Sequence, residues 1–103
     1  MARHVVVHIE KVKDKAGLQR YLAALPPILA KFGGEFIMRG KPVKKLMGIW
    51  EPQKDLYALG VIRFENAEQI RRWFNADDYQ DAKALFKQSA DVTLVIFEDL
   101  YGL

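Results

Sequence analysis

Two segments of this chain are apolar on both faces of a strand, and nothing else in the sequence limits the fold as much. From Leu56 to Phe64 the residues Leu56, Ala58 and Ile62 face one way while Tyr57, Leu59 and Val61 face the other. From Asp91 to Glu98 the same holds for Val92, Leu94 and Ile96 against Val95 and Phe97. Successive strand side chains point to opposite faces, so a strand with one wet face alternates apolar with polar residues. These two strands need cover on both sides.

The remaining elements fall around them. Arg3 to Val12 reads as a first strand, with Val5, Val7 and Ile9 on one face and His4, Val6, His8 and Glu10 on the other. Asp14 is placed to N-cap a helix running through Phe32, whose Leu18, Leu22, Leu25, Leu29 and Phe32 recur at three- and four-residue steps with Tyr21 beside them. Pro26-Pro27 predicts a kink or a fresh helical start near Leu25, and Gly33-Gly34 predicts a left-handed cap. Glu35 to Lys41 is a second strand; Lys44 to Trp50 either continues it after a break or forms a short extra strand, and Pro52 to Asp55 is a turn. Asn66 followed by Gln69 resembles a capping box opening a second helix, with Ile70, Trp73 and Phe74 turned inward. Asn75 to Asp78 breaks that helix, and a further helical segment runs from about Tyr79 to Gln88.

The order β-α-β-β-α-β is the ferredoxin-like split β-α-β arrangement. It predicts an α+β fold, a four-stranded antiparallel sheet with its helices on one face. Two helices cover only that face. A second copy of the chain is the simplest cover for the other, which predicts a homodimer.

Composition agrees and narrows the chemistry. One compact domain over residues 1–103 is expected from 103 residues, of which 50% are apolar and 28% charged. The absence of cysteine excludes a disulfide scaffold, a thiol nucleophile and a Cys-ligated metal, and suits a cytoplasmic setting. Val5-Val6-Val7 is too short for a signal-peptide core, and no run approaches the ~20 apolar residues of a membrane helix, so no membrane partner is expected. The net charge of +3 is unevenly split: residues 1–50 hold ten Lys and Arg against three Asp and Glu, and residues 51–103 hold six against ten. The cations gather only in two short groups, Lys11, Lys13 and Lys15, then Lys41, Lys44 and Lys45. That is no basic stripe with interleaved aromatics, and no nucleic-acid partner is expected.

Several spaced motifs resemble a known family. Asp14, Leu18, Tyr21 and Pro27 lead to Lys31-Phe32-Gly33-Gly34-Glu35-Phe36-Ile37-Met38-Arg39-Gly40. Gly48-Ile49-Trp50-Glu51-Pro52 precedes Arg63-Phe64-Glu65-Asn66 and then Trp73-Phe74-Asn75-Ala76-Asp77-Asp78-Tyr79-Gln80. In this order they resemble the domain-of-unknown-function family number 1330, over about residues 4–98. The resemblance implies a homodimeric α/β barrel in which two ferredoxin-like sheets pack face to face. It implies no settled activity, since the wider superfamily holds cofactor-independent monooxygenases, lactone isomerases and haem enzymes. It also implies an arginine about seven residues after the Tyr-Gln step, where this chain has Phe86.

Five residues are candidates for chemistry. His8 can exchange a proton near neutral pH and is the candidate base, or else a strand histidine bonded to a neighbour. Arg39, which resembles the family's fixed arginine, is read on the face of Ile37 and needs an anion there, either Glu35, Glu51 or a substrate oxyanion. Tyr21, Trp73 and Tyr79 resemble the family's aromatic positions and are expected to wall a pocket for a small, partly apolar molecule, or to pack the core. No cofactor and no metal is expected: His4, His8 and Glu10 stretch over roughly 20 Å of one strand. Three functions stay open: a homodimer with a small-molecule pocket between sheet and helices or at the dimer interface, a cofactor-independent monooxygenase or isomerase using His8 and Arg39, and a structural or regulatory dimer.

Overall fold

The computed structural model describes residues 2–100. Its elements are β1 (Arg3–Val12), α1 (Lys15–Lys31), β2 (Glu35–Gly40), the single helical turn α2 (Pro52–Asp55), β3 (Ala58–Phe64), α3 (Ala67–Asn75), α4 (Asp77–Ser89) and β4 (Ala90–Glu98). The four strands form one sheet in the order β2-β3-β1-β4, every neighbouring pair antiparallel. This is the ferredoxin-like α+β topology. β2 and β4 are its two edges.

Local chemistry sets the helix ends. Asp14 Oδ1 accepts from Gly17 N at 3.1 Å and opens α1. Pro26 and Pro27 lie inside α1 rather than restarting it. Both are exposed, so the Leu22 and Ala23 carbonyls that lose their N–H partners sit near water. At the far end Gly33 takes φ +80, and Gly34 N donates to Leu29 O at 3.0 Å, the six-to-one bond of a left-handed cap. Asn66 Oδ1 accepts from Gln69 N at 3.0 Å, and Gln69 Oε1 accepts in return from Glu65 N at 2.8 Å, one residue outside the standard capping box. The second helical pair breaks at Ala76, and α4 begins at Asp77, two residues before the expected start.

One core lies between the helices and one sheet face. Val5, Val7 and Ile9 of β1, with Ile62 and Phe64 of β3, meet Leu18, Tyr21, Leu25 and Leu29 of α1 and Ile70, Trp73, Tyr79 and Phe86 of α3 and α4. On the other face stand His4, Val6, His8 and Glu10 of β1, Leu59, Val61 and Arg63 of β3, and Thr93, Val95 and Phe97 of β4. Among the described residues, no helix covers that face.

Three expectations need correction. Residues 44–50 form no strand: the segment between β2 and α2 is an arm, its base closed by the Lys45–Glu51 ion pair and by Gln53 Nε2 donating to Val43 O. Pro52–Asp55 is a turn of helix. Phe74 is 39% exposed instead of turned into the core, because Trp73 fills the space beneath α3 at 0% exposure.

Candidate functional site

The register of β2 decides where Arg39 points. Between Phe36 and Met38 the pairing with β3 shifts by one residue. A bulge of this kind resets the alternation that follows it. Met38 therefore stands opposite Val61, toward the open face, and Arg39 opposite Gly60, toward the helices. The Arg39 guanidinium lies 5.0 Å from the centre of the Phe36 ring, a cation–π contact, rather than against a carboxylate. Glu51 is held by Lys45, and Glu35 stands opposite Arg63 on the open face. His8 occupies that open face, between Leu59 of β3 and Thr93 of β4, with its Nδ1 buried and without a hydrogen-bond partner among the described residues. The structure thus sets His8 and Arg39 on opposite sides of the sheet.

The three aromatic residues do converge, inside the core. Tyr21 and Tyr79 share a hydroxyl–hydroxyl hydrogen bond of 2.8 Å. Burial, before any neighbour, raises the Tyr21 hydroxyl far above the usual phenol range, and Tyr79 adds to it; burial also raises Tyr79. Phe86 stacks on Tyr21 with ring centres 3.9 Å apart and planes 3° from parallel. Trp73 packs on Tyr79 at 4.7 Å and on Phe64 at 5.6 Å. Each of the three nevertheless borders a different void. Tyr21 lines a small one of about 70 Å³ together with Arg39 and Phe36; Trp73 lines one of about 330 Å³; Tyr79 lines an open groove of about 370 Å³ beside Lys83 and Lys87.

The void at Trp73 is walled by both layers of the fold. It lies between α3 and the β1–β4 part of the sheet, with Val5, Leu94 and Ile96 on the sheet side and Ile70, Trp73 and Phe74 on the helix side. The exposed Arg71 and Asn75 border it. Arg71 is held by Glu68, Nε to Oε2 at 2.9 Å, and that bond keeps the Glu68 carboxyl below the ordinary carboxylate range. Trp73 Nε1 is buried and has no acceptor among the described residues. A buried N–H without a partner is rare and costly in folded proteins. Sequence reading singled out Trp73 but not the rest of this lining. The available signal was the stripe Ala67, Ile70, Trp73 and Phe74, whose smallest member leaves the space beneath the start of α3 unfilled. Among the described residues, no three of His, Asp and Glu come together as a metal site, and no helix is long and apolar enough to cross a membrane.

Fold and cavity together define a ferredoxin-like α+β protein. Residues 3–100 match the family model described as Domain of unknown function (DUF1330), and the chain belongs to that family. No curated protein matches its sequence. Similar solved structures include a protein of unknown function from Rhodopseudomonas palustris, with TM-score 0.75 and 14% identity over 96% of this chain and 82% of that one. Another is SnoaB, a cofactor-independent oxygenase from Streptomyces nogalater, with TM-score 0.70 and 11% identity over 99% and 96% of the two chains. A third is an ethyl tert-butyl ether d (EthD) family protein from Bacillus halodurans, with TM-score 0.69 and 17% identity over 97% and 100%. At these identities the likeness is one of fold.

Proposed function

We propose that this protein is a homodimer in which each protomer binds a small, mainly apolar molecule carrying a hydrogen-bond acceptor, in the cavity between α3 and the sheet. The void of about 330 Å³ beside Trp73, a residue whose buried indole N–H has no acceptor among the described residues, carries the reading. That volume lies at the lower end of small-molecule sites, and a mostly apolar wall with a few polar groups, here Trp73, Arg71 and Asn75, is their usual make-up. A carbonyl or hydroxyl oxygen of the ligand accepts from Nε1, which is fully covered in this structure, once the side chains over it give way, and the rings and branched side chains of the wall pack against the rest of the molecule. The uncovered apolar sheet face supports the dimer.

The test uses a fluorescent naphthyl ketone as probe, titrated into wild-type protein and Trp73→Phe. Phenylalanine keeps most of the wall and removes the donor. Wild-type protein should bind with a blue-shifted emission, and Trp73→Phe should bind about tenfold more weakly. Equal binding by both proteins overturns the role given to Nε1, and no binding by either removes the site.

A catalytic version, oxygenation or isomerisation without a cofactor, is supported by the unpartnered Nδ1 of His8 on the face a second copy would enclose. There His8 serves as base. Arg39, across the sheet, would serve in a different cavity, with Tyr21. The cavity at Trp73 contains no side chain able to take up a proton at neutral pH, so the geometry favours binding over catalysis there. A purely structural or regulatory dimer leaves the orphaned indole unexplained.

A further inference from the structure

The described chain carries two clusters of large exposed apolar side chains, and they lie at opposite edges of the sheet. One is the arm of residues 41–51, which follows edge strand β2. Its tip residues Leu46, Met47 and Ile49 are 92%, 89% and 101% exposed. The chain bends at the tip: Lys45–Glu51 and Gln53–Val43 close the base of the arm, and Gly48 holds φ +114 between Met47 and Ile49. The other cluster is edge strand β4, where Val95 and Phe97 point to the open face and Ile96 to the helix side, at 40%, 50% and 55% exposure. Ile96 is also part of the cavity at Trp73.

We propose that the arm of each protomer folds over the β4 edge of a second copy and closes the mouth of that copy's cavity at Trp73. The inference rests on the homodimer proposed above and says which parts of the two chains meet outside the sheets. Three observations commit the arm to this occupant.

The first is reach. β3 and β1 separate the two clusters, so the arm cannot cover its own β4. When two such sheets face each other about a two-fold axis running along the strands, the β2 edge of each lies over the β4 edge of the other. Both clusters are then covered twice by one interface. The chain is already extended in the sheet plane, 42 × 39 × 16 Å with a radius of gyration of 14.3 Å, against about 13 Å for a compact chain of this size.

The second is area. The four strands, of 10, 6, 7 and 9 residues, cover a footprint of roughly 19 × 26 Å, near 500 Å². A stable dimer buries about 800 Å² per partner. The sheet face alone falls short, and the arm with its apolar tip supplies the missing contact. The third is charge. Residues 41–51 hold three lysines against one glutamate, and residues 90–100 hold three acids, of which Asp91 and Glu98 also pair with Lys13 and Arg3 of their own protomer in exposed ion pairs. Opposite charges therefore flank the two apolar clusters, which favours this pairing over arm against arm.

Because the chain has no cysteine, the contact can be mapped by disulfide trapping. The double variant Met47→Cys/Ile96→Cys is oxidised beside a control, Met47→Cys/Lys83→Cys, whose second site lies on α4. Light scattering follows the dimer of wild-type protein and of Leu46→Glu/Ile49→Glu, whose replaced side chains touch nothing the protomer needs to fold. The inference expects a covalent dimer from the first pair and little from the control. It also expects the glutamate variant to dissociate at concentrations about 100-fold higher than wild type. A wild-type dimer with no trapped product, and with unchanged dissociation in the glutamate variant, overturns the arm contact while leaving the dimer in place; the tip then faces some other partner. A monomeric wild-type protein overturns the dimer itself and this inference with it.

Discussion

The Tyr21–Tyr79 pair shows how much one residue's surroundings decide. Tyr21 was legible as an aromatic beside the α1 stripe, and Trp73 as an inward residue of α3. Their common destination was not, because it depends on how α1, α3 and α4 lie over the sheet. Phe86 completes the arrangement: its ring fills the space beside Tyr21 that a charged arginine could occupy only with an anionic partner. Two phenols held neutral in the core have a consequence at high pH. Both are raised above the ordinary phenol value near 10, so above about pH 10 the unfolded chain loses protons that the folded chain keeps. Stability then falls with rising pH, by at most about 1.4 kcal/mol per pH unit for each tyrosine. Urea midpoints should hold level from pH 7 to 9 and drop between pH 10 and 11. The double variant Tyr21→Phe/Tyr79→Phe, which removes both hydroxyls and leaves neither orphaned, should flatten that drop. An equally steep fall in the double variant assigns the alkaline loss to other groups.

At the scale of elements, periodicity located β1, α1, β3, α3 and β4 within a few residues, because each carries its own apolar pattern. Two features escaped it. The bulge in β2 reversed the face of Arg39, since one extra residue flips every side chain that follows. The arm reads as strand because Val43, Leu46, Met47, Ile49 and Trp50 look like core residues, and sequence alone does not reveal that the described residues leave them exposed. The prolines of α1 erred the other way: the pattern on both sides of them belongs to one stripe, and buried Leu25 and Leu29 hold the helix together across Pro26-Pro27. An interior proline costs a helix about 3 kcal/mol relative to alanine. Both rings point outward here, and neither packs in the core. Pro26→Ala/Pro27→Ala should therefore raise stability by about 2–4 kcal/mol in urea unfolding, less what the prolines gain by restricting the unfolded chain. A loss of stability would mean that the prolines shape α1 in a way the core requires.

At the scale of the molecule, the two-faced strands found first in the sequence account for the architecture and for its incompleteness. Val5, Val7, Ile9, Ile62 and Phe64 are spent on the helices, whereas Val6, Leu59, Val61, Val95 and Phe97 remain on a face that no element among the described residues covers. The orphaned Nδ1 of His8 lies among them, a polar atom that a second copy would have to accommodate. Val61 is the residue on which to test this. It stands between Val6 of β1 and Met38 of β2, away from both edges and from the cavity at Trp73. Val61→Lys leaves its ammonium in water in a lone protomer, so the fold should survive with an unchanged far-ultraviolet circular dichroism spectrum. In a face-to-face dimer the same change buries two uncompensated cations near the middle of the interface, which costs several kcal/mol. The variant should then elute and scatter as a single chain of 11.8 kDa where wild-type protein scatters as twice that. It should still bind the naphthyl ketone, more weakly where the partner's arm contributes to closing the cavity. A Val61→Lys protein that remains dimeric would place the interface elsewhere and return the open face to solvent.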